Sequence, residues 1–239
     1  MNAGKRIAAA GFTLIELAIA LVVVGLLLGL LTPALGARIE QQRIAETRQI
    51  LGEAQEALLG FAIANGRLPR PAVSFADGSE ASAACASDAA CTGFIPWQTL
   101  GVRRSDGWLK LVRYSVTPAL ANGAFALNAN GSKKIQSRDE AGALIYLVGS
   151  ASACSTTSPC AAAVIYSAGK NNWGTLENGT PLGDQSASNV DEDTNEAASS
   201  RFVARAFGDQ PGGGEFDDLV GWLPTTILFN RMVAAGRLP

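Results

Sequence analysis

A run of 21 uncharged residues, Leu17 to Ala37, constrains this chain more than any other feature, because one carboxylate, Glu16, stands at its start. Leu, Val, Ile, Ala and Gly dominate the run, and the next charge is Arg38. A helix rises about 1.5 Å per residue, so ~20 such residues cross a hydrocarbon core of ~30 Å. The run reads as a membrane-spanning helix. Lys5 and Arg6, the only charges before Glu16, place its N-terminus in the cytoplasm and everything from Arg38 on the far side. A carboxylate at membrane depth costs roughly 2.5–3.5 kcal/mol on insertion scales, so Glu16 needs a partner or a function.

A secretory signal peptide shares the basic start and the apolar run, and Ala34-Leu35-Gly36 offers small residues for cleavage. Its apolar region would be about 7–15 residues long and free of Glu, and this one departs on both counts. Helical character also continues. Ile44, Leu51 and Leu58 recur seven apart, with Ala54 and Phe61 on the same stripe, and Arg38, Glu40, Arg43, Glu46 and Arg48 lie mainly on other faces. Asn65-Gly66 followed by Pro69 and Pro71 ends the helix. Pro33 removes one backbone hydrogen bond, so a kink or local melting is expected there.

Beyond the stalk the chain reads as short strands between Gly-, Ser- and Asn-rich loops. The expected strands are Leu109–Val116, Phe125–Leu127, Ala143–Val148, Ala162–Ser167 and Leu219–Leu223. A closing helix is expected over Thr226–Ala235, capped by Thr225 and stopped at Gly236. A long helix followed by several strands predicts an α+β fold, with an antiparallel sheet covering the amphipathic half of the helix. The expected divisions are residues 1–11, a leader; 12–37, the membrane half of the helix; 38–64, its amphipathic half; and 65–239, a globular head.

Four cysteines form two C-x5-C pairs, Cys85/Cys91 and Cys154/Cys160. With no histidine and no C-x-x-C, zinc is a weak reading; an even count in an exported head favours disulfides. Of three connectivities, local pairing within each C-x5-C is expected. Asp191, Asp193 and Asn195 alternate in the densest acidic stretch, a spacing with which a loop can aim oxygens at calcium. The EF-hand pattern fails, because Glu196 stands where Gly is needed and Phe202 where a carboxylate is needed. A solvated acidic loop is the plainer alternative. No other cofactor is called for.

The composition excludes several function classes. A net charge of −2 argues against a polybasic nucleic-acid binder, and the pairs Arg103-Arg104 and Lys133-Lys134 read as solvated surface. Without histidine the common Ser–His and Cys–His nucleophile pairs are absent. Gly212-Gly213-Gly214 lacks the Lys and Ser/Thr of a phosphate-binding loop and reads as a flexible turn. The four tryptophans are scattered, which suits core or rim positions.

Gly11-Phe12-Thr13-Leu14-Ile15-Glu16 resembles the class III signal of type IV pilins and type II secretion pseudopilins. The resemblance extends over about residues 1–63, and includes the short basic leader and a proline at position 33. Phe216-Asp217-Asp218-Leu219-Val220 and Leu228-Phe229-Asn230-Arg231-Met232 also look like a subgroup of prepilin-type proteins. It implies cleavage after Gly11 by a prepilin peptidase and N-methylation of Phe12. It implies assembly, in which Glu16 meets the new terminal amine of a neighbouring subunit. Other pilin or pseudopilin subunits, an inner-membrane assembly platform and, before assembly, the lipid bilayer are then the partners. The head would be periplasmic, or extracellular in a pilus. The family also includes calcium-binding members. The competing expectation is a signal-anchored periplasmic binding protein or hydrolase.

Overall fold

The computed structural model describes residues 12–126 and 128–238, with the backbone alone over 28–35. Helix α1 runs Leu14–Asn65 and keeps its helical assignment through Pro33. By contacts the chain divides into two units, one ending at Gln42 and one beginning at Arg43.

In the first unit the described apolar side chains from Phe12 to Leu27 are exposed. Among the described residues no helix is long and apolar enough to cross a membrane.

In the second unit, α1 supplies a buried stripe of Thr47, Ile50, Leu51, Ala54, Leu58, Leu59 and Ala62, at helical spacing. The expected Leu51, Ala54 and Leu58 belong to it; Ile44 is only partly buried against the core. Phe61 is half-buried, with the Arg67 guanidinium 5.4 Å from its ring centre. The helix ends where Gly66 takes a positive φ of 70°.

Two sheets follow, where one was expected. The first is antiparallel, in the order β1 (Thr92–Phe94), β2 (Arg113–Val116), β5 (Ala161–Ser167), β7 (Leu219–Pro224). The second has the order β4 (Leu144–Val148), β3 (Lys134–Arg138), β6 (Arg201–Val203), with β3–β6 parallel. All seven residues of β5 are buried because both its faces are covered. Ala162, Ala163 and Ile165 join the core that contains the α1 stripe, while Val164 and Tyr166 pack on Ile135 of β3 and Phe202 of β6.

Four short helices complete the unit: α2 (Trp97–Leu100), α3 (Pro118–Ala121), α4 (Val190–Glu196) and α5 (Thr225–Ala234). Leu228 and Met232 of α5 enter the main core. Both disulfides form locally, Cys85–Cys91 and Cys154–Cys160, as expected.

Several expectations are corrected. Strand β2 begins at Arg113, because Leu109 adopts a positive φ of 63° that breaks the extended run. Phe125 and Ala126 form no strand, and Leu127 lies outside the described residues. Thr225 is the first residue of α5 and caps nothing; its hydroxyl donates to the Cys160 carbonyl at 2.5 Å. Lys133 is fully buried against Asp88 at 2.6 Å, so only Lys134 of that pair lies at the surface.

Candidate processing and assembly site

Thr13-Leu14-Ile15-Glu16 has the spacing of a capping box, and the structure closes it. The Thr13 backbone N–H donates to Glu16 Oε2 at 3.0 Å and the Thr13 hydroxyl donates to the same oxygen at 2.8 Å. The Glu16 N–H donates in return to Thr13 Oγ1 at 3.3 Å. This box satisfies N–H groups that have no intrahelical acceptor at a helix start. It also orients the carboxylate: one oxygen is engaged, and Oε1 accepts no hydrogen bond among the described residues. Phe12, Leu14 and Ile15 stand exposed around it, an apolar surface bearing one anion. Gly11 lies outside the described residues.

The acidic stretch of the head is neither a solvated loop nor a loop with the spacing considered for calcium. Residues 190–196 form α4, and successive helical positions turn Asp191, Asp193 and Asn195 to different partners. Asp191 is buried, with Arg138 Nη2 2.7 Å from Oδ1, and Arg138 Nε at 2.8 Å and Arg205 Nε at 2.7 Å from Oδ2. Two guanidinium groups thus stand where a cation would have to sit. Asp193 accepts from Trp173 Nε1 at 2.9 Å. Asn195 donates to the Val203 carbonyl and to Asp218 Oδ2, and accepts from the Val203 N–H. The three residues do not converge.

A different trio does: Glu192, Asp217 and Asp218 bring one carboxylate oxygen each within 4.8 Å of one another. Both Glu192 oxygens and one oxygen each of Asp217 and Asp218 accept from N–H donors, while Asp217 Oδ1 is buried without a partner among the described residues. Glu192 accepts from the Asn172 and Asn189 side chains and from the Asp217 N–H, while Asp217 Oδ2 accepts from the Asn171 N–H. Calcium takes six to eight oxygen ligands, and this trio offers few uncommitted ones. The adjacent positive charge is the buried Lys110, whose ammonium donates to the carbonyls of Ala168, Asn171 and Asn172 at 2.7–2.9 Å. Burial pushes the Asp217 carboxyl up to about 6 and Asp218 well above its ordinary range. Burial likewise lowers Lys110, against the attraction of Asp217, Asp106, Asp218 and Glu192.

The glycine turn is packed into this network. Gly212 and Gly214 have positive φ, and a Cβ at Gly213 would collide with Asp191 and Arg138. The sequence signal for the turn was visible; its docking against Asp191 was not.

Residues 6–32 match the family described as "Prokaryotic N-terminal methylation motif". The motif, matched over 27 of the 239 residues, supports a prepilin-type N-terminus. It is that of the type IV pilin and pseudopilin family, and it implies processing by a prepilin peptidase, membrane anchoring and assembly with other pilins. It points to a structural protein in place of an enzyme. No curated protein and no solved structure matches the chain.

Proposed function

We propose that this chain is a minor pilin or pseudopilin, a structural subunit of a type IV pilus or type II secretion pseudopilus. Cleavage after Gly11 exposes the Phe12 amine, and the assembled helix pairs such an amine with Glu16 of a neighbouring subunit. The observation that carries the reading is the methylation motif over residues 6–32, joined to a carboxylate whose Oε1 accepts no hydrogen bond among the described residues, beside an exposed apolar surface. In a low-dielectric helix bundle, removing one partner of an ion pair leaves the other uncompensated, at ~3–5 kcal/mol. Glu16 therefore acts as a register device. The α+β head sets the filament surface.

Glu16→Leu is expected to be processed and inserted but to join filaments poorly, measured by recovery of the variant in sheared or affinity-purified fibres. Recovery equal to wild type contradicts the assignment of Glu16. Against the alternative, a signal-anchored periplasmic binding protein or hydrolase, stands the specificity of the matched motif.

A further inference from the structure

We infer that β4 is a self-association edge, through which the heads of two copies of this chain pair as antiparallel strands. Side chains alternate across a strand, so a strand covered on one face shows alternating burial. Leu144, Ile145, Tyr146 and Leu147 are instead 47%, 43%, 38% and 49% exposed, so neither face of β4 is covered. Its outer edge is also open: among the described residues β4 pairs with β3 alone. The Asp139 N–H donates to the Ala143 carbonyl at 3.0 Å. Hydrogen-bonded pairs alternate in an antiparallel ladder, which makes Ser137–Ile145 the next such pair and turns the N–H and C=O of Leu144 and Tyr146 outward.

The other sheet edges are covered by the chain itself. Phe94 of β1 exchanges two backbone hydrogen bonds with Ala72. Gln55 donates to the Trp222 carbonyl of β7, and Asn195 engages both backbone groups of Val203 in β6. Proteins guard exposed edges with charge, proline or cover, and β4 has none of these between Leu144 and Val148.

Charge selects the occupant and its direction. The turn entering β4 carries exposed Asp139 and Glu140. At the other end, Lys134 precedes Ile135, the partner of Val148, and holds its ammonium at the surface on the Ser152 carbonyl. An antiparallel second copy, centred on Tyr146, lays each acidic turn beside the other copy's Lys134 end. Parallel pairing would set the two acidic turns together. The same five apolar residues then face one another across a two-fold axis, the isologous arrangement such a patch allows. The proposal does not depend on the filament reading.

The test uses the full chain in detergent micelles. Hydrogen-bonded antiparallel positions stand about 5.5 Å apart at Cα, within disulfide reach, so Tyr146→Cys under mild oxidation is expected to give a reducible homodimer. Adding Leu144→Pro, which removes only an outward N–H, is expected to reduce that dimer to background while both native disulfides and the unfolding midpoint persist. Glu140→Lys or Lys134→Glu is expected to lower its yield about five-fold, and the double reversal to restore it. The proposal is overturned by an absent dimer, by equal yield with Leu144→Pro, by no rescue in the double reversal, or by cross-linking to a different protein.

Discussion

Glu16 and Asp191 are both carboxylates near the start of a helix, and the chain treats them in opposite ways. Glu16 is exposed and, among the described residues, held on one oxygen by Thr13 alone. Asp191 is buried, with both oxygens held by Arg138 and Arg205. Arg205 is fixed in turn by the carbonyls of Gly208 and Gly214 and lies 4.5 Å from the Phe216 ring centre. A fully engaged anion has no capacity left for an outside partner and serves to hold α4 against the sheet. A half-engaged anion is oriented yet available. The comparison separates an anion that builds the head from one that fits the proposed assembly role.

The largest effect is expected from Asp191→Ala. It leaves two guanidinium groups without their counter-charge, Arg205 only 1% and Arg138 only 8% exposed at the side chain. The head is expected to lose ~3–5 kcal/mol in denaturant unfolding. A loss under ~1 kcal/mol would mean that Asp191 is not the anchor described here.

A smaller and pH-dependent effect is expected from Asp217, whose folded carboxyl is raised from 3.8 to about 6 by burial. A raised acid contributes stability that is fully present below the unfolded value and is lost as pH rises through the folded one. The unfolding midpoint of the head is therefore expected to fall as pH rises from about 4 through about 6. Asp217→Asn is expected to reduce that dependence, the remainder coming from the more strongly raised Asp218, and an unchanged slope would remove Asp217 as a source.

The smallest effect is expected from Thr13→Ala. Loss of a capping side chain costs about 1 kcal/mol locally. Faster amide exchange over Leu14–Leu17 is expected, with no change in head unfolding. A shifted head midpoint would show that the two regions are not energetically separate.

How much of this was legible depends on where each residue's partner lies. Strand β5 was visible as Ala162–Ser167 because burial on both faces demands a continuous apolar run. The β4 run was visible too, as Ala143–Val148, but its exposure was not, since hydrophobicity does not reveal whether anything covers it. Strand β3 escaped notice because it offers one buried apolar residue, Ile135, among polar and charged neighbours, and β6 because it is only three residues long, Arg201-Phe202-Val203. Helix α4 escaped because its acidic residues look solvated in sequence, and the groups that bury them lie far along the chain. Arg138 is 53 residues from Asp191, and Asn172 is 20 from Glu192. The Thr13–Glu16 capping box escaped notice although its partners are three residues apart, because Glu16 read first as a carboxylate at membrane depth.

The central proposal is that cleavage after Gly11 creates an amine that pairs with Glu16 of a neighbouring subunit, and the mass of the mature N-terminus tests it most directly. Protein recovered from the membrane or from fibres should begin with N-methylated Phe12. A chain still beginning at Met1, or one ending its trimming near Ala37, would contradict the account.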